Sequence, residues 1–70
     1  IVELIATDKV CNKTLVELNV RARFGCTILA IKRGEDVNIS PFPSDKILKD
    51  DILIVIGQKN DLKRFEEEGM

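Results

Sequence analysis

The chain has 70 residues, with 11 basic and 12 acidic side chains, a net charge of −1 and no histidine. That length makes one domain, residues 1–70, which buries only ~60% of the surface its unfolded chain exposes, so docking against a second copy would stabilise it. The balanced charge excludes the positive field of a general nucleic-acid binder. The longest apolar run, Ile52–Ile56, is far short of the ~20 residues a membrane helix needs, so no direct membrane insertion is expected.

In chain order, Ile1–Ala6 is a short apolar run and reads as a strand, ended by Thr7-Asp8-Lys9. Thr14-Leu15-Val16-Glu17 has the spacing of a capping box, with Leu15 and Leu18 on one helical face. Asn19 can cap a second turn, Val20 to Phe24, which Gly25 ends from a left-handed position. Residues 15–24 are therefore one helix, or two turns broken at Asn19. Cys26–Lys32 is nearly all apolar, as suits a strand covered on both faces. After a turn at Arg33-Gly34-Glu35, the alternating Asp36–Ser40 reads as a half-exposed strand pairing back in a hairpin.

Pro41-Phe42-Pro43 takes the chain out of the sheet, and Ile47 and Leu48 are expected to pin the crossing loop to the core. Asp50-Asp51 reads as a solvated acidic turn before the strand Ile52–Ile56, which Gly57 closes. Asn60 or Asp61 then caps a last helix carrying Leu62 and Phe65 on one face. The order is β-α-β-β-β-α, an α/β (α+β) domain. The start at Ile1 and the polar tail Glu66–Met70 are as expected of a C-terminal fragment of a longer protein.

Without histidine, hydrolysis and acyl transfer lack their commonest base, and Cys11 or Cys26 lacks the imidazole that usually activates a thiolate. The two cysteines read as buried or half-buried thiols, not as a disulfide or part of a zinc site. The glycines at 25, 34, 57 and 69 fit neither a dinucleotide fingerprint nor a P-loop. The chain reads as a binding module and not an enzyme, with no covalent cofactor and no metal.

The informative segment is Leu18–Gly25, in which Arg21 and Arg23 lie two apart and diverge, with Lys32 and Arg33 adding charge at the end of the next strand. A guanidinium fork suits phosphate, so an anion site near Arg21 is the functional reading, with apolar side chains and Pro43 available to hold a flat base. On spacing alone the better account is solvated charge balancing Glu3, Glu17 and Glu35.

The run Thr14–Arg33, followed by Ser40-Pro41, Asp51–Gly57 and Asp61–Glu66, resembles the RCK C-terminal (TrkA-C) domain along essentially the whole chain. The closest likeness is to regulatory subunits of bacterial potassium-uptake systems of the Ktr type. The resemblance implies a dimeric β-α-β-β-β-α domain. It would follow a Rossmann-type domain holding ATP or ADP, in a cytoplasmic ring peripheral to the membrane beneath a potassium-transporting subunit. It further implies that cyclic di-AMP binds between two protomers and lowers potassium uptake. Carried over by position, Arg21 pairs with a phosphate and Leu15, Val16 and Pro43 flank an adenine. Asn19 belongs to the same wall, and Cys26 and Thr27 present backbone groups, with the Thr27 hydroxyl, to the base edge.

Two positions depart from the family. Thr27 stands where relatives often carry Asn, and Asp50-Asp51 stands where they have Gly-Asp, a change expected to strain the turn. The competing readings are a structural dimerisation module without a small-molecule ligand, and a thiol-redox domain built on Cys11 and Cys26.

Overall fold

The computed structural model describes residues 1–70. Its elements are β1 (Val2–Ile5), α1 (Leu15–Leu18), α2 (Val20–Phe24), β2 (Thr27–Arg33), β3 (Asp36–Asn38), β4 (Ile52–Ile56) and α3 (Lys59–Arg64), followed by a π-helical turn at Phe65–Gly69. The most apolar segment, β4, lies inside a four-stranded sheet of order β1-β4-β2-β3. All three pairings are antiparallel. Because strand side chains alternate between faces, Val2, Leu4, Ile28, Ile31, Leu53 and Val55 turn to the side where the helices pack. There they meet Leu18, Val20, Phe24 and Phe65 in the hydrophobic core. This is the expected α+β order.

The capping box forms as the spacing requires. Thr14 Oγ1 accepts from the Glu17 amide at 3.1 Å, and Glu17 Oε1 accepts from the Thr14 amide at 2.9 Å. The bond from the Thr14 amide, first among the causes, holds the Glu17 carboxyl below its ordinary pKa. Asn19 takes φ 47, ψ 47, so the two-turn version of the helix is the one adopted. Gly25 ends α2 at φ 74, and a Cβ there would come within 3.1 Å of the Asp61 carboxylate.

Several sequence expectations are corrected. Asp51 is not solvated but fully buried, at 0% exposure. Its carboxylate accepts from Arg33 Nε at 2.9 Å, Arg33 Nη2 at 2.7 Å and the Leu48 amide at 2.8 Å. Arg33 therefore ends β2 as half of a two-pronged ion pair and is not a free cation. The strand expected over 36–40 stops at Asn38, where Asp45 Oδ2 accepts from the Asn38 side chain at 3.0 Å and the Phe42 amide at 2.8 Å, pulling the chain off the sheet. Ile47 pins the crossing loop and is fully buried, exchanging backbone bonds with Asn12 and Lys13, but Leu48 is exposed.

The last helix starts from Gln58, not Asn60 or Asp61, because the Leu62 amide reaches the Gln58 carbonyl at 2.9 Å. The tail is packed: the Met70 carbonyl accepts from Thr7 Oγ1 at 2.8 Å, and Gly69 is buried against Phe65 and Phe24. Finally, helices cover only one face of β2, and a bulge between Ile28 and Ala30 leaves Leu29 exposed.

Two outcomes follow for stability. Breaking a buried ion pair costs about 3–5 kcal/mol, but Arg33 keeps half its side chain in water, so Asp51→Ala is expected to cost about 2–3 kcal/mol by urea denaturation. The Arg33 hydrogen bond, more than the Leu48 amide, holds the Asp51 carboxyl below its usual range against the opposing effect of burial. Its contribution is therefore complete above the unfolded pKa of about 3.9 and is lost as pH falls through the lower folded value. An acid titration should show the variant already lacking that step. Asp50 sits at φ 69, a region costly for L-residues other than glycine. Asp50→Gly should raise the unfolding free energy by about 0.5 kcal/mol, and a loss would contradict turn strain.

Candidate ligand-binding site

The site is made where the sheet is left unfinished. β3 pairs only with Ile31–Arg33, so the outer edge of β2 at its start has no neighbouring strand. α1 and α2 stand on one side of this edge and the proline loop on the other. The Val16 amide donates to the Pro43 carbonyl at 3.0 Å and the Leu15 amide to the Asp45 carbonyl at 3.2 Å, which fixes the loop to the helix start. The space between is an open cavity of about 300 Å³. That is the lower end of the ~300–1,000 Å³ range of small-molecule sites.

Leu15, Val16, Asn19 and Arg21 line it from the helices, and Cys26, Thr27 and Pro43 from the strand and loop. The structure thus brings together the seven residues that the family resemblance singled out. It adds Val20, Ile28 and Pro41. Val20 is in the hydrophobic core and Ile28 packs against it, both while edging the cavity. Pro41 carried a usable signal, since it stands two residues from Pro43 in the same extended loop.

Arg21 is the charged group at this site. The chain's ion pairs are Arg33–Asp51 and Arg64–Asp61, and Arg21 belongs to neither. The other cations sit elsewhere. Arg23 donates to the Leu18 carbonyl at 3.3 Å and lies 5.0 Å over the Phe24 ring, so the two arginines diverge as their spacing requires. Arg33 is held by Asp51 and borders a second cavity of about 280 Å³, where Asp45 accepts from the Asn38 side chain. Lys32 is registered with Ile52, away from the site. Neither contributes the positive charge that its place in the sequence suggested.

Cys26 borders the cavity as a buried residue. Its side chain is fully buried, with Sγ 3.7 Å from the Phe24 carbonyl oxygen. Burial, and then the nearby Asp61 carboxylate, push the thiol pKa upward. Thr27 is exposed beside it. Asn19 makes no side-chain capping bond, so its carboxamide is free to face a ligand. The lining is mixed: apolar walls that suit a flat ring, one unpaired guanidinium, and polar groups along a free strand edge. The lining offers no nucleophile and base in contact. Both cysteines are free thiols, no metal-ligating cluster is present, and no helix is long and apolar enough to cross a membrane.

Comparison with known proteins adds the following. The family model described as TrkA-C domain matches residues 1–68. The Ktr system potassium uptake protein A of Bacillus subtilis (strain 168) is 56% identical over 70 residues, which is 100% of this chain and 32% of that protein. The chain therefore spans about a third of that relative's length. A solved structure of the KtrA RCK C domain in complex with cyclic diadenosine monophosphate superposes with a TM-score of 0.91 at 48% identity, covering 94% of this chain and 78% of that one. The RCK_C domain dimer of S. agalactiae BusR in complex with c-di-AMP gives 0.85 at 27% identity, covering 97% and 86%.

The burial of Cys26 sets an expectation for thiol chemistry. In the folded chain a maleimide should label half-buried Cys11 readily and Cys26 only after unfolding. Peptide mapping that found both labelled at equal rates would contradict the closed position of Cys26.

Proposed function

The chain belongs to the TrkA-C domain family, and from that premise we propose that it is the ligand-sensing regulatory domain of a Ktr-type potassium-uptake subunit, binding cyclic di-AMP between two copies. The observation that carries this reading is the single cavity in which the free Arg21 fork meets apolar walls and an unpaired strand edge. Complexes of the KtrA and BusR domains with cyclic di-AMP support the same ligand class.

The chemistry divides naturally among the residues. Arg21 donates two parallel hydrogen bonds to a phosphate, as its planar fork allows. Leu15 and Val16 on one side and Pro43 on the other hold an adenine, which gains from leaving water. The backbone at Cys26 and Thr27 reads the edge of the base, with the Thr27 hydroxyl and the Asn19 carboxamide beside it. Where relatives place Asn at position 27, this chain's threonine forfeits one side-chain hydrogen bond to the base.

An open cavity of about 300 Å³ in one chain leaves a ligand as large as cyclic di-AMP incompletely enclosed. Cyclic di-AMP is two-fold symmetric and doubly negative, so two copies of the same half-site can enclose it. The ligand then acts by favouring one arrangement of the two copies over another, since only differential affinity shifts such an equilibrium. In the longer subunit, a Rossmann-type domain would hold ATP or ADP. The assembled ring would pass the change to a potassium-transporting partner at the inner face of the membrane, lowering transport.

Isothermal calorimetry of the chain with cyclic di-AMP tests this. Binding of roughly one ligand per two chains is expected. Arg21→Ala should weaken it by about 2–3 kcal/mol, roughly a hundred-fold, because a charge-assisted pair is lost at a desolvated site. No heat at high micromolar ligand, with the chain folded by circular dichroism, would leave a dimerisation module without a ligand.

A further inference from the structure

The wall that carries Pro43 has no core beneath it. Phe42 is 71% exposed, and Pro43 and Ser44 are exposed as well. The nearest buried residue along the chain is Ile47, two positions past Asp45. Burial therefore does not place this segment, and hydrogen bonds must. Pro43 and Ser44 are the central residues of a turn that runs from Phe42 to Asp45, with proline where its fixed φ suits a turn. Asp45 closes that turn twice. Its amide donates to the Phe42 carbonyl at 2.9 Å, and its carboxylate Oδ2 accepts from the Phe42 amide at 2.8 Å. The same oxygen accepts from the Asn38 side chain at 3.0 Å, which ties the turn to the end of β3. The Asp45 carbonyl accepts from the Leu15 amide at 3.2 Å, which ties it to α1.

One residue thus joins three elements, and it borders the second cavity, not the one that Arg21 lines. Its charge works against the ligand, since a carboxylate two positions from Pro43 repels a doubly negative guest. What it gives the site is one acceptor oxygen shared by two donors. From this we infer that Asp45 is a positioning residue for the ligand cavity, which rests on that cavity being the dinucleotide half-site proposed above. It holds the Pro43 wall at a fixed spacing from Leu15 and Val16, and so sets the width of the slot for a flat base without touching the base.

Hydrogen exchange and calorimetry test the two parts separately, on variants shown to be folded by circular dichroism. In the ligand-free chain, Asp45→Ala should speed amide exchange at Leu15 and Val16 about ten-fold relative to Leu53 and Val55 of β4, because the turn loosens and the sheet does not. With cyclic di-AMP, Asp45→Ala should weaken binding about ten-fold, whereas loss of a bystander carboxylate would tighten it. Asp45→Asn sheds the charge but keeps a carbonyl oxygen that can accept from both Phe42 and Asn38, so it should restore the affinity to within about two-fold. Combined with Pro43→Ala, Asp45→Ala should cost less than the two single losses together, because both act through one wall. Equal or tighter binding by Asp45→Ala, an Asp45→Asn variant as weak as the alanine, strict additivity with Pro43→Ala, or unchanged exchange at Leu15 and Val16 would each overturn the role of Asp45. A chain that binds no cyclic di-AMP would overturn the half-site itself, and the exchange rates would still decide whether Asp45 holds the turn.

Discussion

The grip of Arg33 on buried Asp51 is the interaction on which the rest of the molecule depends. The connection from β3 to β4 has no regular structure of its own, and it must cross the domain while supplying one wall of the cavity. Asp51 fixes its last residues by accepting from the Leu48 amide as well as from Arg33, and Arg33 also donates to the Lys46 carbonyl at 3.2 Å. Ile47 then fills the core, and the segment before it lies along the start of α1. That anchor backs the direct bonds from the Val16 and Leu15 amides that set Pro43 beside the start of α1. A structural ion pair thus positions a binding wall that it never touches.

The other wall is set by a break. A continuous helix over residues 15–24 would carry its side chains round at a constant 3.6-residue pitch. Asn19 instead enters the left-handed region, which asparagine tolerates better than most residues. The chain then restarts, so Arg21 faces the cavity while Arg23 stacks on Phe24 outside it. The two arginines diverge as their spacing requires, and the bend leaves one facing the cavity and one packed on an aromatic ring.

Size accounts for two unfinished surfaces. A chain this short encloses a core of eleven residues, leaving one sheet face bare and one cavity half-built. The half-built cavity is the deficit that a second copy can meet, because symmetry lets each protomer supply what the other lacks. The marginal core and the regulatory role are then compatible, since contacts of modest energy are the ones a ligand can redistribute.

Local physics fixed much of this in advance. The capping box, the strand Ile52–Ile56, the turn at Gly25 and the divergence of the arginines all follow from short-range spacing and were legible in the residues alone. The cavity residues were legible only through resemblance to a family, because their composition is that of any small core with a few surface charges. Tertiary structure decided what involves partners distant in sequence. Asp51 read as a solvated turn because the arginine that neutralises it lies 18 positions away. Leu48 read as an anchor because an apolar residue cannot signal that its neighbour Ile47 has taken the core. The last helix starts at Gln58 because tertiary packing, not a capping side chain, chose its first turn. The apolar back of the sheet was written in the unbroken apolar runs of β2 and β4, but that it lies open in the single chain became visible only when every helix was found on the other side. Sequence states which surfaces must leave water; the fold alone states which of them a single chain can reach.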